Sequence, residues 1–125
     1  MPAAMRLFAL RGAITVEHND AEEILAATDE LIHELMVRNE LDAGDLVSCL
    51  FTLTEDLDAE FPAKAARRMG LSAVPLMCAR EVPVPGSLPR VIRVLVHYYA
   101  PEDHMSRHVY LRDARSLRTD LESAQ

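Results

Sequence analysis

Apolar and polar positions recur along this chain with two different periods, and the changes of period divide it into elements. Residues 5–16 (MRLFALRGAITV) are apolar and β-branched enough to predict a first strand. A polar break at His18, Asn19 and Asp20 follows. Asp20 suits a helix N-cap, and Glu23 three residues on completes a capping-box pattern. Ile24, Leu25, Thr28, Leu31, Ile32, Leu35 and Met36 then recur at helical spacing, predicting an amphipathic helix over 21–38 that packs by one face. After a polar turn at 40–44, residues 46–53 (LVSCLFTL) are apolar at both parities, which predicts a second and central strand.

The second half is punctuated more heavily. Residues 54–58 (TEDLD) form a loop leading into a short helix near 60–69, with Gly70 as its C′ residue. Residues 73–82 (AVPLMCAREV) predict a third strand, and Pro83, Pro85, Gly86 and Pro89 mark a turn. Residues 90–99 (RVIRVLVHYY) give the clearest strand of all, 101–106 a loop, and 108–111 a last short strand. The expected scheme is β-α-β-α-β-β, an α+β or α/β single domain whose mixed sheet is covered by two helices on one face. One domain accounts for residues 1–125, with the polar tail at 119–125 expected to fray. Repeats and low-complexity tracts are missing.

Composition narrows the partners. Half of the chain is hydrophobic, so a packed core is feasible at 125 residues. A domain this small buries only about two-thirds of its unfolded surface, which makes assembly with further copies a source of stability. A formal net charge of −7 argues against nucleic acid or an anionic membrane as partner. Cys49 and Cys78 are far apart and form no CxxC frame. Neither a leader pattern nor an apolar run of about 18 residues is seen, so the expectation is a soluble, cytoplasmic protein.

Charge placement then suggests chemistry. Of thirteen basic residues only Lys64 is a lysine. Arg11 and Arg93 interrupt apolar strands, and Glu81 ends a third. A buried guanidinium costs several kcal/mol unless paired or solvated. Taken singly, each arginine reads as a rim residue or an ion-pair partner. Two on different strands, with a glutamate on another, point toward a shared anion pocket. Lys64 and Arg67 lie three apart on the short helix, separated by alanines, and read alone as a solvated basic face. Arg107, Arg112, Arg115 and Arg118 read as surface. His104 and His108 have an i, i+4 spacing across a loop–strand junction, without an HExxH frame, which is poor metal geometry. No nucleophile elbow or glycine-rich phosphate loop appears. Cys78 reads as a buried strand cysteine.

Five blocks, in order, resemble the monofunctional chorismate mutases of the Bacillus type. They are Arg11-Gly12-Ala13 with Thr15-Val16-Glu17, Phe61-Pro62-Ala63-Lys64-Ala65 with Arg67, Cys78 with Glu81, Ile92-Arg93-Val94, and Arg107-His108-Val109-Tyr110-Leu111 followed by Leu117-Arg118 and Asp120-Leu121. The resemblance covers about residues 6–121. It implies a homotrimeric pseudo-α/β barrel with active sites between subunits, acting on chorismate in aromatic amino-acid biosynthesis without cofactor or metal. It further implies a catalytic set of Arg93, Glu81, Cys78 and Arg11, with Arg93 at the breaking ether bond and Glu81 and the Cys78 position at the ring hydroxyl. Tyr110 would contact a carboxylate. Phe61, Ala63, Lys64, Arg67, Met77 and Arg118 would complete the substrate contacts, several from across an interface. Met77 stands where the family often has threonine, and Pro83, Pro85 and Pro89 stiffen a loop that is richer in glycine among relatives.

Such a site suits the reaction. Chorismate carries two carboxylates and rearranges with no proton transfer and no nucleophile. The protein has only to hold a compact conformer and stabilise developing charge. Arginine does the first through its planar fork. Two other readings share the residues: a Rid-type imine deaminase, and a non-catalytic trimeric metabolite-binding protein. Cys78 and Glu81 leave one point open. Three residues apart on a regular strand, they face opposite sides, so a bulge, a strand end or a backbone role for Cys78 is required.

Overall fold

The computed structural model describes residues 4–118. Its two longest strands, β1 (Met5–Thr15) and β4 (Val91–Pro101), pair antiparallel along their whole length, from Met5 opposite Pro101 to Thr15 opposite Val91. On the other side of β4 lies β2 (Leu46–Leu53), also antiparallel, with one irregularity between Leu46 and Ser48. β3 (Leu76–Arg80) adds parallel to β2, and β5 (Val109–Tyr110) adds parallel to β1. The result is a single domain around a mixed five-stranded sheet of order β3-β2-β4-β1-β5.

Alternation along β1 decides which face is covered. Leu10 and Ile14 are fully buried and Gly12 lies between them, while Leu7 and Arg11 are exposed on the opposite face. The helix α1 (Ala21–Arg38) lays Ile24, Ala27, Leu31, Ile32 and Leu35 over the first face. α2 (Pro62–Arg68) adds Ala63 and Ala66 to the same core, which also takes Phe51, Ile92, Val94, Val96 and Tyr98 from the sheet. Each fully buried Leu, Ile or Phe contributes about 1.5–3 kcal/mol relative to exposure. Gly12 lets α1 approach closely: a Cβ there would meet Leu31 Cδ1 and Leu35 Cδ1, both at 3.1 Å. Both helices therefore cover one face, as expected; on the other, Ala13 and Val91 are buried with Ala114, and the rest of that face is open in this chain.

Local signals explain most boundaries. α1 spans the predicted residues. The Asp20 carboxylate accepts the Glu23 N–H at 3.0 Å, but Glu23 reaches past the cap to the N–H and ring of His18, so only half of the capping box forms. α2 begins at Pro62, whose missing N–H is harmless in a first turn, and ends before Gly70 at φ +92°. β2 matches its predicted bounds but is not the central strand. Cys49, Phe51 and Leu53 are buried while Ser48, Leu50 and Thr52 are half-buried, and β4 holds the middle. β3 is shorter than residues 73–82. Pro75 and Pro83 lack the N–H a ladder needs, although the Pro75 carbonyl and the Glu81 N–H still bond to β2. The short strand β5 lies within the predicted last strand at 108–111, and with it the order is β-α-β-α-β-β-β, one strand more than the β-α-β-α-β-β scheme allowed. No described helix is long and apolar enough to cross a membrane. The expected frayed tail at 119–125 lies outside the described residues.

Candidate active site

Sheet register gathers the interrupting charges on the open face. Arg93 stands opposite Ala13 of β1 and Thr52 of β2, so all three share that face. Arg11 stands opposite Leu95, two residues along β4 from Arg93. Such diagonal neighbours sit about 7–8 Å apart, within reach of arginine side chains. Tyr110 pairs with Ala13 from β5 and packs beside it on the same side. Met77 pairs with Leu50 and is 67% exposed there.

Glu81 joins this group from just beyond β3. Its N–H bonds to the Leu53 carbonyl, which continues the ladder and keeps the side chain on the open face. One carboxylate oxygen, Oε2, accepts both the Arg93 Nε–H at 2.9 Å and the Thr52 hydroxyl at 2.8 Å. The other oxygen, Oε1, has no partner among the described residues. With Nε engaged, Arg93 keeps its terminal nitrogens for a ligand. Its side chain is 38% exposed against 15% for Glu81, so the pair sits at the edge of water.

Arg11 is held through its backbone. Its N–H donates to His108 Nδ1 at 3.0 Å, where the imidazole extends the short β5 ladder. Partial burial, and secondarily the Arg11 charge, hold the His108 pKa below its ordinary value. The ring is therefore neutral, with Nδ1 as acceptor. His104 is also occupied, its Nε2 bonding the buried Tyr98 hydroxyl at 2.8 Å. The two histidines thus serve separate hydrogen bonds.

A second group lies on the helix-covered side. Cys78 has the opposite parity to Met77 and Glu81, and the β2–β3 register runs without a bulge. Its side chain lines a cavity of about 380 Å³ with Leu53, Leu57, Glu60, Phe61 and Arg80. Within one chain Cys78 and Glu81 do not meet. Phe61 is 65% exposed at the mouth. Lys64 is tied to Glu60 at 3.2 Å; the Phe61 N–H, and after it the Lys64 ammonium, hold the Glu60 carboxyl below its usual range. Arg67 is exposed, whereas Ala63 is buried in the core and offers no side-chain contact. Arg118 lies elsewhere again, in a cleft with Glu30, Tyr110, Arg112 and Arg115.

Three contributors escaped the sequence reading. Thr52 binds Glu81, as described. Arg80 donates to the carbonyls of Thr54 and Leu57 at 3.0 and 2.8 Å. Asn19 accepts the N–H groups of Asp58 and Ala59, both at 3.0 Å, and donates to the Asp58 carboxylate at 2.7 Å. The last two clamp the 54–61 loop that presents Phe61. A strand threonine, a strand-end arginine and an asparagine before a helix are common, and nothing in their spacing marks them.

Nearly the whole chain is similar to known proteins. Residues 7–121 match the family model for chorismate mutase type I. A curated chorismate mutase AroH from Thermus thermophilus is 55% identical over 119 residues, covering 93% of this chain and 97% of that protein. The chorismate mutase AroH of Bacillus subtilis is 42% identical over 120 residues, 94% of each. A solved chorismate mutase from Clostridium thermocellum superposes with a TM-score of 0.83 at 46% identity, covering 87% of this chain and 98% of that one. The match spans both charge groups, and the chain belongs to the type I chorismate mutase family.

Proposed function

We propose that this protein is an isomerase converting chorismate to prephenate for aromatic amino-acid biosynthesis in the cytoplasm. The observation that carries the reading is the Arg93–Glu81–Thr52 cluster beside Arg11 on one open sheet face. Arg11 and Arg93 grip the substrate's carboxylate-bearing side chain and hold it over the ring. Arg93 turns its terminal N–H groups toward the ether oxygen, where negative charge builds as the C–O bond breaks. Glu81 Oε1 accepts the ring hydroxyl. Bonds reorganise within one molecule, so no group is transferred and no cofactor takes part. One preorganised donor contributes about 3–4 kcal/mol, while the smallest enzymatic accelerations require about 8 kcal/mol. Conformer selection by the arginines and Tyr110 therefore contributes much of the remainder.

The working unit is a homotrimer with shared sites. Supporting this is the split of the family's residues between two sides of a single chain, with Cys78, Phe61, Lys64 and Arg67 on one and Arg11, Glu81 and Arg93 on the other. The open face also carries Leu7, Met77 and Tyr99, 47%, 67% and 49% exposed, as a partner-covered surface would. A neighbouring copy brings its helix-side group over this face.

The test is direct. Pure protein mixed with chorismate should lose the substrate's ultraviolet absorption and yield prephenate. Sedimentation should give a trimer mass. Mixed trimers of Arg93→Ala and Arg67→Ala chains should recover activity that neither parent has. Binding without conversion would favour a metabolite-binding protein instead, and turnover of imines alone a deaminase. The full-length match to chorismate mutases does not favour the latter.

A further inference from the structure

We propose that Thr52 is a positioning residue that sets Glu81 for a ligand hydroxyl and thereby gives the site its selectivity for a hydroxylated ring. The inference rests on the mutase reading above. Glu81 lies outside β3, at the start of the proline-rich 82–89 turn. Its terminal torsion is broad and roughly two-fold, so nothing in its own chemistry fixes the orientation of the carboxylate plane toward the cleft. Arg93 alone is a weak restraint, because its own side chain is more than a third exposed. Thr52 differs. It is β-branched and therefore stiff, and it stands on a strand hydrogen-bonded on both sides. The next residue, Leu53, accepts the Glu81 N–H through its carbonyl at 3.0 Å. β2 thus holds Glu81 at two points, by backbone and by the 2.8 Å hydroxyl contact.

Two donors on Oε2 have a further effect. They satisfy that oxygen and fix the carboxylate plane, which leaves Oε1 as the acceptor for an incoming hydroxyl. A site built to accept a substrate hydroxyl discriminates strongly against an analogue lacking it, because its buried polar group is then left unpaired. Loss of the Thr52 hydroxyl loosens the acceptor and weakens that discrimination.

The experiment compares wild type, Thr52→Val and Thr52→Ser on chorismate and on the analogue lacking the ring hydroxyl. Valine keeps the shape and branching of threonine, so the melting temperature should stay within a few degrees. Thr52→Val should lose about tenfold or more in kcat/KM on chorismate, the worth of a hydrogen bond to a charged group. It should lose much less on the analogue, so that the selectivity ratio falls, and Thr52→Ser should restore the ratio. An unchanged ratio, or equal losses on both compounds, would overturn the assignment and leave Thr52 a structural residue. Should wild type bind chorismate without converting it, the mutase reading fails, and the same ratio read from dissociation constants still decides the role of Thr52.

Discussion

Replacing Arg93 by lysine separates charge from geometry at the centre of the site. Arg93 commits Nε to Glu81 at 2.9 Å and keeps two terminal nitrogens. Lysine has one nitrogen. If it pairs with Glu81, nothing remains aimed at the ether oxygen. If it reaches for the substrate, Glu81 loses a partner and keeps only Thr52. Either way one oriented donor is lost, about 3–4 kcal/mol of transition-state stabilisation, or roughly 10²–10³-fold in kcat. Stability should respond far less. With 38% and 15% of the two side chains exposed, the pair is screened by water, and such pairs contribute about 0–1 kcal/mol. Arg93→Lys and Arg93→Ala should therefore both stay folded and both turn over slowly. Saturating chorismate kinetics, run beside thermal melts on the same preparations, reads both quantities. A lysine variant within about threefold of wild type, under 1 kcal/mol, would show that charge alone suffices and refute the fork argument.

Other expectations follow from single contacts. Gly12→Ala places a methyl 3.1 Å from Leu31 and Leu35, and overpacking of this kind costs about 1–3 kcal/mol. A melting temperature equal to or above wild type would contradict that packing. His108 has a depressed pKa in the folded chain, so below the ordinary value of 6.5 the unfolded chain takes up the proton first. Its contribution is present above that pH and is lost as pH falls through the lower folded value. Denaturant titrations should accordingly show a shallower loss of stability on acidification in His108→Ala than in wild type, and parallel slopes would remove His108 from the account. Burial pushes the Cys49 thiol up to about 11, which keeps it protonated and unreactive. A thiol reagent should label Cys78 in the native protein and Cys49 only after unfolding, whereas equal rates would mean that Cys49 is accessible.

Much of the frame was legible because periodicity is a local property. The 3.6-residue spacing from Ile24 to Met36, the Asp20 cap before it and the polar turn at 40–44 after it bounded α1 without any knowledge of its neighbours. The apolar run from Val91 to Tyr98 likewise bounded β4, and Arg93 stood out because a charge inside such a run is expensive. Alternation also said that Cys78 and Glu81 face apart, which the register bears out. It did not say which of the two faces the helices would cover.

That choice, and the partners on each face, were decided by tertiary structure. Thr52 meets Glu81 across 29 residues, Arg93 meets it across 12, and Asn19 clamps residues 39 and 40 positions away. Such pairs depend on strand order and register, which arise from how two helices and five strands share one core. A one-residue slip would move every side chain of a strand to the other face. No pattern within a strand contains that information. The amino-acid order determined which segments form strands and helices and which charges are out of place. Only the packed sheet decided that those charges meet, and that Thr52 stands beside them.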